Sequence, residues 1–189
     1  MKLIMRLVGV GLALFFSSSL IGAQQDKHPA TYLDKGACPF ECCTYRRWKT
    51  EKSTVAYARP NRNSRIVGRF KAGSRVVGLT GRVITTAPGR LKIIKDHGKY
   101  KRGDVLWVYT PLGEGYYKVW FKGKLYEEGL DYLSGPYEQS IPTCEQRADC
   151  WAKLETELKT VWWVRVKSAN GWVGWTDKPE NFSDKDACG

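Results

Sequence analysis

Short apolar runs alternate with polar residues along most of the chain, and they recur at intervals of about eight to twelve residues. The runs are rich in Val, Ile, Tyr and Trp, and Gly, Pro or Asn residues separate them. Alternation with a period of two indicates β-strands that bury one face. The pattern predicts strands at 54–58, 66–70, 75–79, 82–86, 91–94, 105–109, 116–121, 125–128, 161–167 and 172–175.

Turn residues lie between these runs where hairpins require them. Asn170-Gly171 is the strongest two-residue hairpin signal, and Pro88-Gly89 and Gly113-Glu114-Gly115 also separate predicted strands. Helical spacing of apolar residues is weak after the first 23 residues, and only 151–159 could hold a short helix. The sequence therefore predicts an all-β fold, a small barrel or a sandwich.

The first 23 residues have the layout of a secretory signal peptide. Lys2 and Arg6 precede an apolar run from Leu7 to Phe16, and the small residues Gly22-Ala23 follow. This run is too short to span a membrane comfortably. We expect an N-terminal signal helix over 1–23 that is cleaved near Ala23. The mature chain would then be periplasmic or secreted, with no transmembrane segment.

All six cysteines lie beyond this leader, and an even number in an exported chain indicates disulfide bonds. Cys144 and Cys150 enclose a short loop, so we expect them to pair. Two arrangements remain open for the other four. Cys188 pairs with either Cys42 or Cys43, and the one left over pairs with Cys38. Both arrangements fasten the C-terminus to the start of the mature chain.

A metal site is the alternative use of these cysteines. It needs closely spaced thiolates together with histidines at matching positions. The two histidines, His28 and His97, are not near a cysteine in the sequence. We therefore predict neither a metal nor a cofactor.

Two segments resemble bacterial SH3-like domains. The segment AYARPNRNSRIVGRFKAGSRVVGL (56–79) resembles the opening of such a domain, although Arg59-Pro60 are adjacent where the family has a longer turn. The segment WWVRVKSANGWVGWT (162–176) resembles its end, and YYKVWFKGKLYEE (116–128) looks like a weaker second copy of that end. The resemblance implies an SH3-like barrel with an extra hairpin. It also implies binding of cell-wall or protein partners rather than catalysis.

The resemblance leaves two layouts open. One barrel closes at 116–128 with the C-terminal hairpin added, or a larger barrel closes at 162–176. We favour a single disulfide-linked unit with two SH3-like lobes. Its parts would be a cysteine-containing lead-in at 24–52, a lobe at 53–130, and a loop with the C-terminal hairpin at 131–189.

Positive charge is concentrated in one part of the sequence. The chain has a formal net charge of +12, and residues 59–103 contain thirteen Lys and Arg residues but only one acid, Asp96. In the predicted strands, outward positions would be taken by Arg65, Arg69, Arg75, Arg82 and Lys92. Such a face attracts anions, and its attraction falls as the salt concentration rises.

Adjacent aromatic residues add a second feature. Trp162-Trp163 and Tyr116-Tyr117 must each point to opposite faces of a strand, so one member of each pair lies outside the core. Few aromatics are interleaved with the basic block, which argues against specific nucleic-acid binding. Our candidate ligand-binding residues are Arg62, Arg65, Arg69, Arg75, Arg82, Tyr117 and Trp163.

The sequence offers no catalytic residues. Asp149-Cys150 is similar to the nucleophile region of Cys–His hydrolases, but Trp151 follows it and no histidine comes later in the chain. We therefore expect a non-catalytic exported module that binds an anionic envelope polymer of the peptidoglycan type, or an envelope protein. Two alternatives remain, a secreted inhibitor or effector subunit that makes contact through the 144–150 loop, and a cell-wall hydrolase that uses His97.

Overall fold

A computed structural model describes residues 27–130, 133, 144 and 148–188. These residues form an all-β structure, as the sequence predicts, with two sheets and a short 3-10 turn at Pro179–Asn181. The expected signal peptide at 1–23 lies outside the described residues. Among the described residues, no helix has the length and apolar character needed to cross a membrane.

The first sheet has eight strands and contains both ends of the described chain. Seven strands follow the order β13-β2-β5-β11-β12-β3-β4, and β1 pairs with the second half of β5. Their bounds are β1 Tyr32–Lys35, β2 Arg47–Thr50, β3 Thr54–Tyr57, β4 Ile66–Phe70, β5 Arg75–Ala87, β11 Lys159–Lys167, β12 Val173–Thr176 and β13 Phe182–Ser183.

The second sheet has five strands in the order β10-β6-β7-β8-β9, and every neighbouring pair is antiparallel. Its strands are β6 Gly89–Ile93, β7 Val105–Gly113, β8 Tyr116–Phe121, β9 Lys124–Gly129 and β10 Ala152–Thr156. Pro88 is the single residue between β5 and β6, so the chain passes from one sheet into the other at this point.

Each sheet has its own hydrophobic core. The core of the first sheet, which we call the barrel core, is dominated by aromatic rings and consists of Trp48, Ala56, Phe70, Val76, Val164, Val166 and Phe182. The core of the second sheet is mostly aliphatic on its strands and includes Leu91, Ile93, Leu106, Val108 and Val119 together with the rings of Tyr100, Tyr117, Phe121 and Trp151. The strands therefore alternate inward apolar and outward polar residues, as a half-buried sheet requires.

Polar contacts join the two sheets between β1, β5, β7 and β8. The hydroxyl of Thr85 donates a hydrogen bond to the carbonyl of Tyr109, and both residues are buried. Lys118 lies 3.3 Å from the carboxylate of Asp34. Burial favours the neutral amine of Lys118, but the charge of Asp34 and its hydrogen bond outweigh this effect and raise the pKa of Lys118.

All six cysteines lie in disulfide pairs. Cys144 pairs with Cys150, which is the bond expected from the short loop. Of the two arrangements left open for the other four, the structure has Cys42 with Cys188 and Cys38 with Cys43. The long-range bond ties the C-terminus to the segment between β1 and β2.

Three features differ from the expectations drawn from the sequence. The segment 151–159, which could have held a short helix, contains a strand instead, because Ala152–Thr156 pairs with β6 and its Ala152 and Leu154 point inward with strand periodicity. The segments predicted separately at 75–79 and 82–86 form one strand, β5. The expected lead-in at 24–52 contains β1 and β2, which both pair with β5.

Candidate anion-binding surface

The eight-stranded sheet has one side turned away from the barrel core, and we call this side the outer face. Strand register defines it, because residues paired across antiparallel strands point to the same side. Trp48 pairs with Val76 on the core side, and their neighbours along each strand therefore point outward. On β11 the same rule places Arg165 and Lys167 on the outer face, on either side of the buried Val166.

Five cations from three adjacent strands come together on the outer face, and we call them the cationic cluster. Lys49 is paired directly with Arg75 across β2 and β5, while Arg47 and Lys167 are both paired with Val77. All of these side chains are exposed, and Val77 between them is 37% exposed. The members of the cluster are Arg47, Lys49, Arg75, Arg165 and Lys167.

The cationic cluster is poorly neutralised. Lys49 forms an ion pair of 3.0 Å with Glu51. Within the part of the chain that the structure describes, the other four members have no acidic partner. Like charges directly opposite one another destabilise a sheet, so this arrangement costs stability. The same arrangement produces a positive potential that attracts anions.

Aromatic rings continue the outer face next to the cluster. Trp175 is paired with Arg165, and the guanidinium of Arg82 lies 4.8 Å from the centre of the Trp175 ring. Trp163, which is paired with Arg82, contacts the ring of Tyr57 edge-on at 5.9 Å. Trp163 and Trp175 are almost fully buried, so they provide a rigid support for the arginines rather than an open shelf.

A groove of about 480 Å³ runs beside β3, β4 and β12. Its lining includes Arg62, Arg69, Tyr57 and Asp177. The carboxylate of Asp177 is only 4% exposed and accepts a hydrogen bond of 2.5 Å from Nε of Arg62. Arg62 therefore compensates a buried charge, whereas Arg69 is exposed on β4 and has no acidic partner among the described residues.

The structure separates the residues predicted from the sequence into different environments. Arg75 belongs to the cationic cluster, Arg82 covers Trp175, and Arg65 is exposed just before β4. Lys92, which was expected on the same face, lies on β6 in the second sheet. The basic block at 59–103 is thus divided between the two sheets.

The two aromatic candidates do not have the exposure that was expected of them. Tyr117 is 7% exposed and belongs to the second core, and Trp163 is 5% exposed. Tyr116 is the outward member of its pair, with half of its surface accessible. The strand argument was correct that one ring of Tyr116-Tyr117 lies outside the core, but it named the wrong one. In the other pair Trp162 packs against the barrel core, and Trp163 lies on the outer face but is buried there.

Four members of the cluster were missed by sequence reasoning because they lie outside the basic block. Their local signal is a cation on each side of one apolar residue, as in Arg47-Trp48-Lys49 and Arg165-Val166-Lys167. In a strand this spacing places both cations on the face opposite the buried residue. The pattern shows which way the cations point, but only the register shows that the two pairs meet.

The groups considered for catalysis or metal binding have other roles in the structure. His97 stacks on Trp151 with ring centres 4.3 Å apart, and all cysteine sulfurs are in disulfides. Cys42, Asp186 and Cys188 lie close together, but the two sulfurs are bonded to each other. These sulfurs therefore cannot act as thiolate ligands or nucleophiles in this state.

Comparison with family models, curated proteins and solved structures gives no match to this chain. Function is therefore inferred from the charges and contacts of the outer face.

Proposed function

We propose that this protein is a non-catalytic exported module that binds an anionic polymer of the cell envelope through the cationic cluster. The observation that carries the proposal is the convergence of five exposed cations from β2, β5 and β11, four of them without an acidic partner among the described residues. The resemblance of 56–79 and 162–176 to SH3-like domains also favours a binding role.

The shape of the cationic cluster favours a polymer over a small ligand. Arg165 and Lys167 are two residues apart on one strand, which separates their Cα atoms by roughly 7 Å, and neighbouring strands are about 4.8 Å apart. The cluster is therefore an array of positive charges spread over three neighbouring strands. An extended chain with repeated carboxylate or phosphate groups can contact several of these charges at once, whereas a single small anion contacts one or two.

A buried tryptophan holds one further arginine, Arg82, in place beside the cluster. Arg82 stacks on Trp175, and Trp175 in turn lies directly across from Arg165. A positioned cation loses less conformational entropy on binding than a mobile one. Trp175 thus favours binding at Arg82 without touching the polymer.

The direct test is co-sedimentation with purified bacterial cell wall at low salt. The variant to use carries Arg47→Glu, Arg75→Glu and Arg165→Glu, all at exposed positions. We expect its affinity to fall roughly tenfold or more, because the array changes from attraction to repulsion.

A matched control changes the net charge by the same amount on the other sheet. It carries Lys95→Glu, Arg102→Glu and Lys124→Glu, which are also exposed. We expect this control to retain most of its wall binding. Equal loss of wall binding in both variants would show that the effect depends on net charge alone. Equal retention of wall binding would rule out the cationic cluster as the binding surface.

A further inference from the structure

A pair of tryptophans lies on the second sheet, on the side opposite its core. Trp107 on β7 is paired directly with Trp120 on β8, so the two indoles stand next to each other on one face. Both side chains are partly exposed. We call this pair the Trp107–Trp120 shelf, and it plays no part in the cationic cluster.

The shelf is bounded on one side by the segment that precedes β1. The imidazole of His28 stacks on Trp107 with ring centres 3.6 Å apart and an angle of 21° between the planes. The hydroxyl of Tyr109 fixes this segment by donating to the carbonyl of Pro29 at 2.7 Å. The His28 ring thus covers one face of Trp107 at stacking distance, which shows that a flat ring fits at this position.

Polar groups line the other side of the shelf. Arg90 is paired with Trp107 across β6 and β7, and its guanidinium forms an ion pair with Glu155. The hydroxyl of Thr156 accepts a hydrogen bond of 2.9 Å from the backbone N–H of Arg90. Planar charged groups beside an aromatic floor can hydrogen-bond to the hydroxyls of a ligand that stacks on that floor.

We infer that the Trp107–Trp120 shelf binds a pyranose ring of a glycan, and that His28 lies where this ring would stack. The C–H groups on the flat side of a pyranose carry partial positive charge and are attracted to the negative face of an indole. A nucleobase would stack equally well, but the cations of this face are matched by acids, as in the Arg90–Glu155 pair and in Lys118 opposite Glu127, so no excess of positive charge is left to hold a phosphate backbone. The shelf therefore favours a neutral sugar.

Calorimetric titration with neutral oligosaccharides of the chitin and cellulose series tests the shelf without involving the cationic cluster. We expect binding by one of them, and a loss of at least roughly tenfold in Trp120→Ala. His28→Ala should bind roughly two- to tenfold more tightly, because the competing imidazole is removed. A purely structural role for His28 predicts no such gain.

Two controls complete the experiment. Tyr116→Ala removes an exposed ring further along β8 and should leave sugar binding unchanged. The variant with Arg47→Glu, Arg75→Glu and Arg165→Glu should also bind the neutral sugar normally, which separates this site from the proposed polymer surface. Absence of binding by every neutral oligosaccharide would overturn the inference. So would an unchanged or weaker affinity in His28→Ala, and this arm holds even if Trp120→Ala fails to fold.

Discussion

The two sheets differ in how their surface cations are held. Around the second sheet most ammonium and guanidinium groups meet a carboxylate, as in the pairs Lys99–Glu128 at 2.7 Å, Lys101–Asp96 at 3.0 Å, Lys122–Asp104 at 3.8 Å, Lys92–Glu155 at 3.9 Å and Arg90–Glu155. On the outer face of the first sheet, Lys49 is the only member of the cationic cluster with such a pair among the described residues.

This difference shows that the cations responsible for the high net charge have two different roles in one chain. Paired cations belong to the surface structure of the second sheet, and each of these pairs adds little stability. Four of the five cations in the cluster have no acidic partner among the described residues, and repulsion between them opposes folding, so we attribute their presence on the first sheet to a ligand. The contrast is the reason why we propose the polymer surface on the first sheet, and it also predicts how the stability of the two regions responds to substitution.

The disulfides give the largest expected contrast between the regions. Replacing Cys42 and Cys188 with alanine should lower the free energy of unfolding by roughly 5 kcal/mol, because this bond links residues 146 positions apart. Replacing Cys144 and Cys150, which are 6 positions apart, should cost roughly 2 kcal/mol. Denaturant unfolding of the two double variants under oxidising conditions measures both values. If the variant without Cys42 and Cys188 lost no more stability than the variant without Cys144 and Cys150, the first sheet would not depend on its long-range bond.

Close packing of glycine gives the next contrast. A Cβ at Gly78 would lie 2.6 Å from the indole of Trp48, in the barrel core. We expect Gly78→Ala to cost about 1–3 kcal/mol by overpacking. Gly129 on β9 has only Tyr116 nearby, at 3.8 Å, so Gly129→Ala should be close to neutral. Thermal unfolding followed by circular dichroism distinguishes the two, and a neutral Gly78→Ala would contradict the packing described for this core.

Stability at alkaline pH tests whether the Tyr45 side chain is buried. Burial raises the pKa of Tyr45 to about 12, although the hydrogen bond from Trp162 lowers it somewhat. Since this pKa lies above the ordinary value of 10, the stabilising contribution is complete below pH 10 and disappears as the pH rises towards 12. Between pH 9 and 11.5 the wild type should lose roughly 1–2 kcal/mol more than Tyr45→Phe. Identical losses in urea unfolding would indicate that Tyr45 is not buried in solution.

The smallest expected contrast is in the direction in which the free energy of unfolding changes. At low salt Arg165→Gln should raise the free energy of unfolding by roughly 0.5 kcal/mol, because it relieves repulsion within the cationic cluster. Lys99→Gln should lower it by a similar amount, because it removes the pair with Glu128 and the contact with the Tyr126 ring. Both effects should shrink at high salt. A loss of stability in both variants would contradict the distinction between the two surfaces.

Much of the fold was predictable from the alternation of apolar and polar residues. The strands at 54–58, 66–70, 105–109, 116–121 and 161–167 are confirmed within a few residues by β3, β4, β7, β8 and β11. These strands are long enough or apolar enough to be recognised without their partners. β1 and β2 have only four residues each and are stabilised mainly by pairing with β5, so their own sequence contains little signal.

Glycine misled the prediction within β5. The predicted strands leave a gap at Thr80-Gly81, but β5 continues through it. A Cβ at Gly81 would lie 2.0 Å from the hydroxyl of Tyr45, so glycine is needed there for close packing rather than for a turn. Such a requirement depends on a residue 36 positions away, and local pattern reasoning cannot detect it.

Only the type of the candidate site, a positively charged surface, was predictable from the sequence. The excess of positive charge at 59–103 indicated an anionic partner, and Arg75 was among the residues named. The surface itself is assembled from three strands that are distant in sequence, and their register decides which cations meet. The order of residues therefore predicted an excess of positive charge, but not which cations lie side by side in the cluster.

The central claim is that the polymer contacts the cationic cluster, and the salt dependence of binding tests it most directly. Binding of soluble anionic wall fragments should weaken as salt rises, with a slope that reflects the number of cations in contact. Replacing Arg47, Arg75 and Arg165 with glutamine should reduce this slope by about two to three. The same slope and affinity in wild type and variant would contradict the account.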